Sequence, residues 1–333
     1  MLRFLIFLFM IALVALGLGY KDYQQTISEP LNFTDEQRNF TIERGWSAKR
    51  VLSELEKKQI IDKPHWVDVY FRVSKSGTAI KSGEFVITGN PNIPELIDIF
   101  ERGQTKQYTG RIIEGSTFKQ LKQRLANNTE LVQTIQGMSD TEIMDALDLA
   151  GQHPEGLFFS DTYQFPKNTS DIEFLARAND LLNNVLTEEW EQRAPDLPLK
   201  TPYEALILAS IVEKETAAAE ERPLIAGVFL SRINKRMRLQ TDPTVIYGMG
   251  DKFDGNIRRR DLTTDTPYNT YTRAGLPPTP IAMVGREAIH AVLNPTSTTA
   301  LYFVARHDGS GTHKFSDTLE EHNAAVRKYQ LKR

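Results

Sequence analysis

The sequence predicts an α+β protein in three parts: an N-terminal transmembrane helix, a small βααβ domain, and a larger mixed α+β domain. Three observations lead there. An uncharged apolar run covers Phe4–Tyr20. Short strand-like and helix-like patterns alternate between about residues 38 and 103. The rest reads as mostly helical to about Arg236, then rich in Pro, Thr, Asn and Asp, before a strand–turn–strand–helix ending. A chain of 333 residues has room for two domains.

The elements follow in order. Phe4–Tyr20, flanked by Arg3 and Lys21-Asp22, sits at the short end of what spans a bilayer. It is longer than a usual signal-peptide core, and Ala15-Leu16-Gly17 and Gly17-Leu18-Gly19 are weak cleavage sites. A retained anchor at 1–21 is therefore expected, followed by a polar tether at 22–37, with residues 21–333 carried across the membrane. Asn39–Ile42 reads as a strand. Ser47 caps a helix to about Lys58 that sets Val51, Leu52 and Leu55 on one face. His65–Val73 reads as a second helix or an extended segment, Gly83–Ile87 as a strand, and Pro94–Glu101 as a helix. These make a domain at 38–103.

An internal echo marks the next boundary. Ile42-Glu43-Arg44-Gly45-Trp46-Ser47 is matched by Ile113-Glu114-Gly115-Ser116-Thr117 when Gly45 and Gly115 are aligned. Each is a strand, a glycine turn, a hydroxyl cap and a helix. The boundary is expected between about Arg102 and Gly110, leaving 104–333 as the larger domain. Its last elements are a strand Leu301–Ala305, a turn at Asp308-Gly309-Ser310-Gly311, a strand Thr312–Phe315 and a helix Leu319–Tyr329.

Composition excludes several functions. A net charge of −3 offers no basic surface for nucleic acid. The absence of cysteine removes disulfides, thiolate nucleophiles and cysteine-bound metals. His153, His290, His307, His313 and His322 lack metal-type spacing, and surface or capping roles are expected for them. There is no Gly-x-Ser-x-Gly elbow, Walker loop or Gly-x-Gly-x-x-Gly, so neither a metal nor a cofactor is expected.

One acidic residue stands out. In Tyr203–Thr216, helical spacing puts Leu208, Ile211, Val212 and Glu215 on one face, with Glu213 nearly opposite. A carboxyl placed where a leucine would fit is costly to ionise, so its pKa should rise and it can donate a proton near neutrality. The plain alternative is a stripe that ends at Val212, with both glutamates solvated. Three clusters surround this helix: Pro154–Tyr163, Met237–Gly248, and Thr266–Tyr271 with Gly275–Pro278. Each mixes rings with short hydrogen-bonding side chains, a combination that suits sugars, and each also reads as ordinary turn chemistry.

Together these motifs resemble the YceG-like endolytic murein transglycosylases (MltG). The resemblance rests on Ala209–Thr216, Met237–Gly248, Tyr268–Tyr271, Gly275–Pro278, the Glu155–Tyr163 segment, and the Tyr302–Ala305, His313–Phe315 and His322-Asn323 ending. It covers nearly the whole chain, anchor included, and identifies the 38–103 domain as LysM-like and 104–333 as catalytic. One departure is Ser160, where the family usually has proline, which is expected to loosen that turn.

The resemblance implies cleavage, without water, of the β-1,4 bond between N-acetylmuramic acid and N-acetylglucosamine in nascent strands. The product would carry a 1,6-anhydro end, and strand elongation would stop. The catalytic glutamate maps to the Glu213-Lys214-Glu215 stretch, and the stripe geometry selects Glu215 over Glu213. Gln240, Asp242, Tyr268, Asn269 and Tyr271 are the candidates for positioning substrate. The implied partners are peptidoglycan glycan strands, the inner membrane and cell-wall synthases, with the catalytic domain in the periplasm. Two alternatives stay open at this point: a muramidase-type hydrolase using Asp242 as second carboxylate, and a glycan-binding scaffold without catalysis.

Overall fold

The computed structural model describes residues 1–74, 79–216 and 218–331. The chain separates into two compact units, Met1–Tyr108 with Gln164–Thr169, and Thr109–Tyr163 with Ser170–Arg333. Two of the three divisions fall inside strands, β3 (Gln107–Arg111) and β4 (Thr162–Pro166), and the third at Ser170, which caps the next helix. β4 interrupts a stretch expected to be mostly helical, and β3 ends at Arg111, two residues before the strand expected at Ile113; neither shows a period-2 apolar pattern long enough to stand out.

In the first unit, α1 (Leu2–Ser28) is 27 residues long, or about 40 Å at 1.5 Å per residue. It is long and apolar enough to cross a membrane. Residues 22–28, expected within a tether, continue this helix. Ile27 is buried in the unit's core, and Tyr23 meets Trp66 edge to face at 5.6 Å. Here apolar residues spaced for one helical face were hidden among polar ones.

The rest of this unit runs β1 (Asn39–Ile42), α2 (Ala48–Lys57), α3 (Pro64–Ser74), β2 (Gly83–Val86) and α4 (Ile93–Arg102). The order is a βααβ unit with an added helix. The strands pair antiparallel in the register Asn39↔Val86 to Ile42↔Gly83. Period-2 alternation turns Phe40, Ile42 and Phe85 inward, where Phe40 and Phe85 pack on Phe100 of α4 at 5.5 and 4.8 Å. Asn92 and Glu95 form a capping box at the start of α4. The segment at His65–Val73, left open between helix and strand, is helical as α3.

The second unit is helical around one buried rod. Its elements are α5 (Phe118–Ala126), α6 (Asp140–Ala146), α7 (Asp171–Glu191), α8 (Pro202–Glu215), α9 (Arg222–Asn234), α10 (Asp242–Met249), α11 (Arg259–Thr263) and α12 (Arg286–Leu293). The hairpin β5 (Tyr302–Ala305) and β6 (His313–Ser316) and the helix α13 (Leu319–Tyr329) close it. The two strands pair antiparallel from Tyr302↔Ser316 to Ala305↔His313, and α13 packs on β5. The echo holds locally: Gly45 and Gly115 take φ of 85° and 71°, and Ser47 and Thr117 cap the helices that follow.

Helix α8 packs against α7, α9, α10 and α12. Every residue from Ala205 to Val212 is buried, so there is no single apolar stripe. That corrects the amphipathic reading: a helix apolar all round is enclosed all round. Thr201 caps it by accepting from the Glu204 N–H, with Pro202 in the first turn. The one internal hydroxyl, on Ser210, donates to the Ile207 carbonyl at 2.7 Å and accepts from the Ile281 N–H at 2.9 Å.

Candidate active site

Glu215 is the last residue of α8, and beyond it the chain turns extended at Thr216. Its half-buried carboxyl lines a cleft of about 570 Å³ together with Gln240, Asp242 and Tyr271. The opposite wall comes from the hairpin and α13, including Tyr302, His313 and His322. The cleft thus collects the end of the central helix, the loop before α10, the 268–271 turn and the chain terminus. Residues far apart in sequence meet there.

The loop before α10 is held from behind. Gln240 adopts φ of 53°, a left-handed conformation that a non-glycine residue rarely takes. Its N–H donates to the Thr270 carbonyl at 3.2 Å, and the Thr241 N–H donates to the Thr270 hydroxyl at 3.1 Å. The Thr244 and Thr270 hydroxyls meet at 2.9 Å beneath them. Gln240 and Asp242 are consequently exposed to the cleft while Thr241 is buried between them. Thr241 stands at the N-cap of α10 but does not cap it with its side chain; its hydroxyl donates to Glu215 Oε1 instead.

This environment sets the proton affinity of Glu215. Burial pushes its carboxyl up to about 7, the Thr241 hydroxyl pulls it down, and the negative charge of Asp242 pushes it up again. Asp242 accepts from the Tyr271 hydroxyl at 2.6 Å, and burial together with Asp242 keeps that phenol protonated. Glu213 faces elsewhere. Its carboxylate is 4 % exposed, 3.1 Å from Arg222, and accepts from the Gly285 N–H at 3.2 Å. Burial raises its pKa as well, with Arg222 opposing.

The remaining expected residues separate. Asn269 is 1 % exposed, and its amide nitrogen donates to the carbonyls of Asp261, Leu262 and Thr264. Its oxygen accepts from the Tyr271 N–H at 2.9 Å, so the side chain is fully engaged in shaping the loop. It holds Tyr271, rather than facing the cleft. Tyr268 also lies off the cleft lining: its hydroxyl is 2.8 Å from Thr279 and its ring meets Tyr247 at 4.8 Å.

The aromatic segment Pro154–Tyr163 is core apart from the exposed Asp161 and Thr162, and its rings are not open to a sugar as expected. Phe158 is fully buried and stacks on Phe118 at 5.4 Å, and the Tyr163 hydroxyl donates to the Phe159 carbonyl. Ser160 does not loosen this turn. Its N–H donates to the Val284 carbonyl at 3.0 Å, a bond that proline lacks the hydrogen to make.

Nothing in the sequence signalled the role of Arg232, the placement of Tyr302 and His322 beside it in the cleft, or a buried acid outside the cleft. Arg232 of α9 is 7 % exposed and donates from Nη1 to the carbonyls of Arg238 and Leu239, and from Nε to that of Leu301. An arginine in a surface-like helical pattern gives no sign of such a role. Tyr302 lies under its guanidinium at 5.1 Å and stacks on His322 at 5.2 Å. His322 is held neutral at neutral pH by burial and by Arg232, and its Nδ1 has no partner among the described residues. Glu155 lies away from the cleft; it is 3 % exposed, accepts from the Phe118 N–H at 3.0 Å, and is pushed up to about 7 by burial.

The second unit thus sets a half-buried carboxyl of raised pKa, Glu215, on the wall of an open polar cleft. The family model described as the YceG-like family matches residues 40–328, and the chain belongs to that family. It is similar to the endolytic murein transglycosylase of Bacillus subtilis (strain 168), with 29% identity over 325 residues, 92% of this chain and 89% of the relative. The endolytic murein transglycosylase of Streptococcus pneumoniae (serotype 2, strain D39) is 26% identical over 357 residues, 96% of this chain and 64% of the relative. The crystal structure of a yceG-like protein from Listeria monocytogenes is 30% identical with a TM-score of 0.52. It covers 86% of this chain and 98% of its own.

Proposed function

We propose that the chain is a membrane-anchored endolytic lytic transglycosylase of peptidoglycan, with Glu215 as its single acid and base. The observation that carries this reading is the carboxyl of Glu215, poised at about 7 on the wall of a polar cleft. Relatives named endolytic murein transglycosylase supply the substrate class.

The mechanism follows from that placement. Protonated Glu215 gives its proton to the glycosidic oxygen between N-acetylmuramic acid and N-acetylglucosamine as the bond to C1 breaks. The resulting carboxylate then takes the proton of the muramic acid C6 hydroxyl as that oxygen closes on C1, leaving a 1,6-anhydro end. Glu215 finishes protonated, and no water is consumed. The positive charge at C1 is met by the substrate's own acetamido oxygen, which needs positioning rather than a second carboxylate. Gln240 and Tyr271 face the cleft for this purpose, and the charge of Asp242 both supports the raised pKa and favours the cationic transition state. Asn269 acts through Tyr271.

The apolar α1 suits a single-pass anchor in the inner membrane with both units in the periplasm. There, nascent strands and the synthases that make them are close by. The βααβ order of the first unit suits a LysM-like module that holds glycan near the cleft.

A hydrolase remains the second reading, because Asp242 shares the cleft with Glu215 and glycoside hydrolysis ordinarily uses two carboxyls. Mass spectrometry of products from purified glycan strands separates them. Anhydro ends are expected. Ends heavier by one water would replace the lyase with a hydrolase, and uncut strands would leave only a glycan-binding scaffold.

A further inference from the structure

A second cleft, of about 870 Å³, opens in the larger unit and shares no lining residue with the Glu215 cleft. Its walls are the end of β3, the turn at Gly115 and the outer side of α5. One residue ties it to the candidate active site: Lys214, the neighbour of Glu215 on α8, lines it and donates to the Gly115 carbonyl at 3.0 Å. Successive helical residues point about 100° apart, so the two clefts lie on different sides of the same helix end.

Its chemistry differs from that of the first. No aromatic ring lines it, so it offers nothing for a sugar face or a nucleobase to stack on. It carries three cations, Arg111, Arg124 and Lys214, and the amides of Gln123 and Asn127. Arg111 and Arg124 are exposed, and no carboxylate pairs with either among the described residues. The single acid in the lining, Glu114, lies 4.0 Å from Arg222. The cleft therefore presents unmatched positive charge and amide donors along a polar wall.

We infer that this cleft binds the acidic peptide stem that branches from the glycan strand, with Arg111 and Arg124 taking its carboxylates. The inference rests on the proposed reading of the Glu215 cleft and adds the part of the substrate lying outside it. The distances agree. A helix with its side chains is about 10–12 Å across, and about three extended residues of peptide cover that span. A stem leaving the muramic acid beside Glu215 thus reaches the second cleft with its later residues, where free carboxylates occur. Arginine suits this task because its planar fork matches a carboxylate.

The test uses the full chain and the double variant Arg111→Gln/Arg124→Gln, whose exposed positions leave packing intact. Soluble strands bearing peptide stems are compared with the same strands stripped of stems by an amidase. The wild-type chain should show a KM about three- to tenfold lower on stem-bearing strands at similar kcat, the range that two exposed charge contacts support. The variant should lose that discrimination, as should the wild type at high salt. Equal discrimination in both proteins, or none in the wild type, overturns the inference. A binding arm is independent of turnover: a soluble stem tetrapeptide at millimolar concentration is followed by NMR against both proteins. If the wild type cuts no strands, the proposed activity falls and this arm decides alone. Binding that the variant loses sustains the stem site, and binding absent from the wild type or unchanged in the variant removes it.

Discussion

Glu213 and Glu215 leave the same last turn of α8 and meet opposite surroundings. On one side, Glu213 is sealed against Arg222, which also reaches Glu287 at 2.6 Å. On the other, no cation pairs with Glu215 among the described residues: a hydroxyl from Thr241 and the negative charge of Asp242 are its neighbours. Burial raises both carboxyls, but only Glu213 has a guanidinium to favour its charged form. The difference teaches how two adjacent acids divide their roles. An acid with a buried cation partner fastens α8 to the start of α9 and α12, whereas an acid denied one holds its proton more tightly, as the proposed general acid requires.

The largest effect that tests this contrast is Glu215→Gln. Amide and carboxyl are nearly the same size, so the fold should persist while strand cleavage falls by about 10²–10⁴-fold, the range of positioned acid–base catalysis. Release of anhydro ends measures it, and near-normal turnover would break the assignment. Glu213→Gln should act on stability instead. It leaves the mostly buried Arg222 with its more exposed partners Glu287 and, at 4.0 Å, Glu114, at a cost of about 2 kcal/mol. The unfolding midpoint should drop by about 4–8 °C, with turnover per folded molecule largely kept. A dead enzyme with an unchanged midpoint would reverse the two roles.

The smallest effect concerns pH. The proposed mechanism starts from protonated Glu215, so cleavage should decline above about pH 7, by tenfold per unit once the proton is mostly gone. Asp242→Asn removes a charge that raises this carboxyl, so its declining limb should move to lower pH. A pH–rate profile of both proteins checks the direction; a limb that stays in place would show that Asp242 does not tune Glu215. The same raised carboxyl weakens the fold as pH rises from about 4.5 to about 7, because the folded form holds the proton more tightly than the unfolded chain. That part of the pH dependence should vanish in Glu215→Gln.

Much of this was legible before the fold. The caps at Ser47 and Thr117, the glycine turns that precede them, and the closing hairpin and helix are local features, set by backbone freedom and hydrogen bonds between near neighbours. The family motifs were legible for the same reason, as contiguous runs of residue types. The short strands β3 and β4 were not, because their pairing is made across a long stretch of chain.

By itself the sequence determined which residues carry usable chemistry near the end of α8, and that this helix is apolar enough to be central. It did so because helical spacing and residue type are local properties. Only the tertiary structure decided what each of those residues does. It placed Arg222 on Glu213, Thr241 and Asp242 beside Glu215, and Asn269 under the loop rather than in the cleft. A carboxyl's proton affinity depends on the charges and donors that folding brings to it from distant parts of the chain, and those distances are not written in its neighbours.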